Sequence, residues 1–220
     1  MKLLVFLSFV ACTVAFKCCP PKQFEGFIGS YGGSCSHQGQ AGLLFSWGQV
    51  HYDYKKAMVA VEETVYVDKQ QEHVQVIQDY ANEVMYLIIG GNCTKSDLPD
   101  TEIMCVPDSA VYVMTQEYGM GAMTVDIYSY GSKLFGDAFF GQISVTRDKC
   151  IPMGVNLGIN HPQASIVMSF GYANLTLGIK DPSVFDIPEI CHHNDVIPFK
   201  VMGEKLSDRM KVVMSSYSAR

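Results

Sequence analysis

Leu175-Thr-Leu-Gly-Ile-Lys-Asp-Pro-Ser-Val-Phe-Asp-Ile-Pro-Glu-Ile-Cys191 is the stretch from which the fold is best read. Leu175, Leu177 and Ile179 alternate with Thr176, Gly178 and Lys180, the two-residue period of a strand with one buried face. Pro182 cannot donate to a ladder and biases Asp181 toward extended geometry, so the strand is expected to end there. Cys191 lies beyond a second proline, Pro188, and can tie the segment covalently to the rest of the chain. No catalytic constellation sits in this run. It speaks for architecture.

The same period recurs upstream. Leu43, Phe45 and Trp47 share a face, as do Val74 and Val76. So do Met123, Val125 and Ile127, then Ile143 and Val145, and then Ile166, Met168, Phe170 and Tyr172. Glycines at 29 to 33, 90–91, 131 and 141 punctuate the runs as turns or bulges. This predicts about ten strands with short connections and no internal repeat. Alternating strands in a meander favour an antiparallel, all-β sandwich or open barrel over a parallel sheet. Helical periodicity is confined to the tail from Gly203, where Leu206, Met210 and Val213 share one face. No linker divides the chain, so residues 16–220 are expected to form one domain.

Residues 1–15 have the layout of a secretory leader: Lys2, an apolar run from Leu3 to Ala11, and small Thr13 and Ala15 before Phe16. The run is too short to cross a bilayer, and no later segment approaches ~20 apolar residues, so a transmembrane protein is not expected. The expected product is exported and extracellular; a lysosomal destination stays open. Its formal net charge is -6 with the leader included. Basic residues form no cluster, which argues against a nucleic-acid partner.

Excluding Cys12 in the leader, seven cysteines remain: Cys18, Cys19, Cys35, Cys93, Cys105, Cys150 and Cys191. Export favours disulfides, and the absence of any CxxC pair disfavours zinc. The odd count leaves one thiol free or paired with another chain. Adjacent Cys18 and Cys19 are expected to serve different partners. Asn92-Cys-Thr94 and Asn174-Leu-Thr176 are N-glycosylation sequons, making Asn92 and Asn174 the expected glycan sites.

The block Gly-Ile-Lys-Asp-Pro-Ser-Val-Phe, at residues 178–185, resembles the signature of ependymin-related proteins, a family of secreted glycoproteins. The start Cys18-Cys-Pro-Pro-Lys-Gln-Phe-Glu-Gly26 is similar to that family's mature amino terminus, with Phe24 where Trp is usual. The resemblance runs to about Cys191. It implies two stacked, curved antiparallel sheets like those of bacterial lipoprotein carriers, with an apolar pocket between them. It also implies bridges Cys18–Cys150 and Cys93–Cys191. A third bridge of the vertebrate members has no counterpart here. Cys35 with Cys105 is a candidate replacement, which would leave Cys19 spare and able to link two chains as a homodimer.

A half-closed pair of sheets with too little inner side-chain volume leaves a cavity, and methionine adapts to irregular apolar ligands. The expected lining is Phe45, Trp47, Met85, Leu87, Met123, Val125, Ile127, Phe140, Ile143, Met168 and Phe170. An acyl chain burying ten methylenes there would gain ~8 kcal/mol, micromolar affinity at best. The partner expected from this reading is therefore a hydrophobic small molecule or lipid.

No cofactor is required; calcium, which the resemblance implies, has candidate ligands in Asp97, Asp100, Glu102 and Asp108. A second acidic run holds Asp181, Asp186 and Glu189, and neither has EF-hand spacing. His192-His193-Asn194-Asp195 places adjacent histidines on opposite sides of an extended segment, a poor chelate. Glu62 and Glu63 likewise face apart along a strand. No nucleophile elbow, HExxH helix or phosphate loop is present, so no enzyme is expected. The chain reads as a secreted glycoprotein that binds a hydrophobic ligand, with calcium binding and cell–matrix adhesion implied by resemblance. The alternative is a structural, adhesive matrix component acting as a disulfide-linked dimer without a ligand.

Overall fold

The computed structural model describes residues 18–36, 39, 41–67, 70–98, 105–134, 137–161, 164–193 and 195–197. The segment 1–15 expected to be a leader, the tail from Gly203 expected to be helical, Asp100, Glu102 and Asn194 lie outside the described residues. Among the described residues eleven strands are found: β1 (Gln23–Ser36), β2 (Ala41–Asp53), β3 (Met58–Val67), β4 (Gln70–Asp79), β5 (Val84–Ile89) and β6 (Asn92–Asp97), then β7 (Val111–Tyr118), β8 (Met123–Leu134), β9 (Asp137–Thr146), β10 (Pro152–His161) and β11 (Ala164–Leu177). They form one antiparallel sheet in the order β6-β5-β4-β3-β2-β1-β11-β10-β9-β8-β7. Two meanders, β1 to β6 and β7 to β11, are joined where β1 pairs with β11. The layers anticipated from sequence thus belong to one continuous, curved sheet, unclosed at β6 and β7.

Directly paired residues share a face, so the register sorts every side chain. Ile143, Val155, Phe170, Ser30, Ser46 and Val65 are successive cross-strand partners from β9 to β3. All six are buried. The serine hydroxyls within this row satisfy each other at 2.7 Å. The two meanders contribute to one hydrophobic cluster, in which Val61, Val74, Met85 and Leu87 join Ile143, Val155, Leu157 and Met168. With no α-helix among the described residues to cover it, the sheet buries one face by curving around its own side chains. We call that face inner and the opposite one outer.

β11 carries Ala164 through Leu177 as one strand, where the alternation suggested two. It stops at Leu177 and not at Lys180 because Gly178 turns the chain at φ 84°. Within β11, Asn174 adopts a left-handed φ of 51°, at the bulge between the Glu25 and Phe27 registers. Beyond Gly178 the signature block crosses the outer face. Asp181 caps a 3-10 turn, Pro182–Phe185, accepting hydrogen bonds from the Ser183 N–H and hydroxyl at 2.9 and 2.7 Å. Phe185 then buries against Ala60 and Ile77, a second small core on the outer side of β3 and β4.

Three disulfides brace the sheet: Cys18–Cys150, Cys93–Cys191 and Cys19–Cys105, with sequence separations of 132, 98 and 86. The expected Cys35–Cys105 pairing does not occur. Cys105 lies beside Cys18 and Cys19, where the Val106 N–H donates to the Cys18 carbonyl at 2.8 Å. Cys35 sits near the far end of β1, about 40 Å along a strand that rises ~3.3 Å per residue. Cys19 is therefore committed, and among the described cysteines Cys35, exposed, lies outside these three bridges.

Candidate functional site: two grooves on the outer face

The eleven residues expected to line one pocket divide between the two faces. Met85, Leu87, Ile143, Met168 and Phe170 are buried on the inner face as mutual packing partners. Phe45, Trp47 and Phe140 are on the outer face, 40%, 50% and 67% exposed. Met123, Val125 and Ile127 also take the outer parity: Ile127 pairs with Ser144 and Val125 with Thr146, whereas Tyr128 and Tyr130 pack against the inner cluster. Val125 is nevertheless buried. Alternation separates two faces but does not say which is inward. In β2 both are apolar, and the Leu44, Val50 and Tyr52 set took the core.

The outer face carries two open grooves. The first, about 530 Å³, has Val111, Ser129, Gly131, Phe140, Gln142, Asn156 and Val167 at outer positions, with Ser109, Tyr130, Gly141 and Leu157 completing its wall and floor. Its shape depends on glycine. A Cβ at Gly158 would strike the Phe140 ring, and one at Gly141 would meet Tyr130 from the other side at 2.9 Å. Burial pushes the Tyr130 hydroxyl up to about 12, so it stays neutral at physiological pH.

The second groove, about 570 Å³, lies between β1–β3 and the signature block. It is lined by Phe27, Trp47, Gln49, His51, Glu62, Thr64, His73, Lys180, Asp181 and Val184, among others. Its rear wall hangs on Glu25. The Lys180 Nζ lies 2.8 Å from that carboxylate, and the Lys180 backbone N–H donates to it at 3.0 Å. These bonds, the side-chain one foremost, hold the Glu25 carboxyl below the usual carboxylate range. His51 Nδ1, fully buried, is 3.6 Å from the same group without a hydrogen bond. Above the groove, Phe45 and Tyr66 stack at 4.6 Å and Trp47 joins Tyr66 at 4.8 Å.

The remaining sequence candidates are dispersed. Asp97 ends β6 and Asp108 sits in a turn, both exposed. Asp181 is used as a cap, and its carboxyl is lowered by the Ser183 bonds. Glu62 is exposed and 3.3 Å from His73, while Glu63 is buried on the inner face. His192 and His193 are exposed beyond the second short helical turn. Among the described residues, no group of three or more His, Cys, Asp or Glu is placed to hold a metal ion. No helix among them is long and apolar enough to cross a membrane. Asn92 and Asn174 are both exposed. Sequence reasoning missed the grooves because both need the register between strands distant in sequence, and the second also needs the outer position of the signature block.

A family profile for ependymin matches residues 68–191. The chain belongs to the ependymin family. The matched span of this ependymin-family chain ends at the cysteine that locks the signature block to β6. Ependymin-related protein 1 of Haliotis asinina is 26% identical over 198 residues, covering 86% of this chain and 96% of the relative. Ependymin-related protein 2 of the same animal is 29% identical over 127 residues, 53% and 63% of the two chains. Among solved structures, a LolA superfamily protein from Nitrosomonas europaea aligns over 77% of this chain and 93% of its own, at 6% identity and a TM-score of 0.33. At that score the likeness bears on neither ligand nor partner.

Proposed function

We propose that this ependymin-family chain is an exported, glycosylated binding protein that takes an apolar ligand, an acyl chain foremost, in the groove beside Phe140. The observation that carries this reading is the groove itself: about 530 Å³, bounded by Val111, Phe140, Leu157 and Val167, with no charged side chain among the described residues that line it. Its volume falls within the range of small-molecule sites. The proposed position is a relocation: the inner face is taken up by its own core side chains, and the apolar space lies outside. An open groove covers one side of a chain, so the expected affinity is weak, with Kd roughly 10 μM to 1 mM.

Displacement of a fluorescent fatty acid from the purified glycoprotein tests the assignment. Phe140→Asp and Val167→Asp, both at exposed positions, are expected to abolish binding while leaving the melting temperature near its original value. Undiminished binding in both variants overturns it. Mass spectrometry of organic extracts of the native protein then identifies the cargo. Calcium and matrix adhesion belong to the same extracellular reading, through glycans at Asn92 and Asn174 together with the exposed Asp97 and Asp108. Calorimetric titration with calcium before and after deglycosylation separates the two sources.

A further inference from the structure

We infer that the second groove, with the aromatic cluster above it, is a binding site for a neutral carbohydrate chain, distinct from the apolar groove. Three observations converge. Trp47 lines the groove, is 50% exposed, and is braced by stacking on Tyr66 and Phe45 with ring centroids 4.8 and 5.9 Å apart. An exposed, braced indole presents the flat apolar surface on which the C–H face of a pyranose packs. Around it, Gln49, Thr64, Glu62 and His73 place amide, hydroxyl, carboxylate and imidazole groups at one concave surface. That mixture of donors and acceptors suits a ligand of many hydroxyls.

Charge narrows the class. Lys180 is the sole ammonium or guanidinium among the lining residues, and its Nζ is held by Glu25 at 2.8 Å. Glu62 and Asp181 add negative charge. A phosphate, a sulfated glycan or a nucleic acid meets no free ammonium or guanidinium among the described lining residues, whereas a neutral sugar meets no penalty.

The register supplies the direction. From Trp47, the next partners across the sheet on the same face are Gly29, Gly171 and Gly154 in succession. A Cβ at Gly171 would meet nothing within 4 Å. This glycine trough leads away from the groove perpendicular to the strands, with exposed Tyr31 and Ser169 along one side. Strand spacing of ~4.8 Å is close to the length of one sugar in an extended chain, so successive residues can ride over successive strands. The rear wall is already set by Glu25, the Asp181 cap and the Phe185 plug, so binding requires little ordering.

Trp47 is the only tryptophan in the chain, so its emission reports the site directly. The native glycoprotein, enzymatically deglycosylated, is titrated with cellohexaose, chitohexaose and maltohexaose, and with a hyaluronan hexasaccharide as the anionic comparison. At least one neutral hexasaccharide is expected to shift the emission saturably, with hyaluronan weaker. By calorimetry, Trp47→Ala weakens that sugar roughly tenfold or more. Gly171→Gln, which fills the trough, weakens the hexasaccharide and spares the disaccharide of the same series (cellobiose, chitobiose or maltose), titrated alongside. No shift with any neutral sugar overturns the proposal. So does a shift that follows protein concentration without sugar, which marks self-association, or one produced by laurate and not by sugars. The apolar groove stands or falls separately, on Phe140 and Val167.

Discussion

The Lys180 ammonium lies 2.8 Å from one oxygen of Glu25, and the Lys180 backbone N–H donates to the other at 3.0 Å, joining positions 155 residues apart. Glu25 is nearly buried while the Lys180 side chain is 80% exposed. The carboxylate, and not the ammonium, is therefore the part that cannot be removed cheaply. Glu25→Gln is expected to cost about 1–3 kcal/mol by weakening both bonds at a buried acceptor. Lys180→Met should cost under about 1 kcal/mol, because an exposed cation is screened. Urea denaturation midpoints distinguish the two.

Acid should weaken the fold through the same group. The native Glu25 carboxyl is held below its unfolded value by Lys180, and Asp126 is lowered chiefly by its Arg147 bonds. A depressed native value means that the stabilisation is present above the ordinary carboxylate range and is lost as pH falls through the lowered native value. Thermal melts from pH 7 down to pH 2 should show a decline confined to the acid limb. Lys180→Met and Arg147→Met should each flatten part of it; an unchanged acid limb in both variants contradicts the assignment.

Bridge identity is directly checkable. The Cys19→Ser/Cys105→Ser pair opens a loop of 86 residues and should cost on the order of 4 kcal/mol in the chain-entropy model. Cys35→Ser should leave stability within about 0.5 kcal/mol of the parent. Peptide mapping of the unreduced protein should recover Cys19 linked to Cys105 and not Cys35 linked to Cys105.

The two faces predict opposite tolerance. Met85→Ala, on the inner face and 1% exposed, should cost about 2–5 kcal/mol. Phe45→Ala, on the outer face, should cost under about 1 kcal/mol, part of it from the lost stack on Tyr66. Equal costs for the two would mean that the face assignment of β2 is inverted.

Glycine positions separate in the same way. A Cβ at Gly48 would strike the Glu62 carbonyl, a backbone atom that cannot swing aside. Gly48→Ala should therefore destabilise by ~1–3 kcal/mol or more through forced strand separation. Gly171→Ala, with open space around it, should be tolerated. Denaturation curves for the two variants decide the matter.

Some of this was legible in one dimension because the information is local. A period of two along Ile166 to Tyr172 states that a strand has two unlike faces, and a proline at 182 states where a ladder cannot continue. An expected export and the cysteine content speak for covalent bracing. Other features were not local. Whether Phe45 or Leu44 turns inward depends on the register of β2 against β1 and β3, since an apolar side chain gains from burial on whichever face the rest of the sheet covers. Cys19 and Cys35 carry the same chemistry, and only the length of β1 puts one beside Cys105 and the other far away.

Sequence by itself determined that this chain makes alternating antiparallel strands, stapled by cysteines, with a signature block after the last of them. Tertiary structure alone decided that the block lies on the outer face, that the expected pocket residues divide between a packed core and an exposed aromatic surface, and that the open spaces are outside. The physical reason is that periodicity is a property of one strand. Which side of that strand becomes interior is settled by all eleven together, when the sheet curves around the face whose burial excludes the most water.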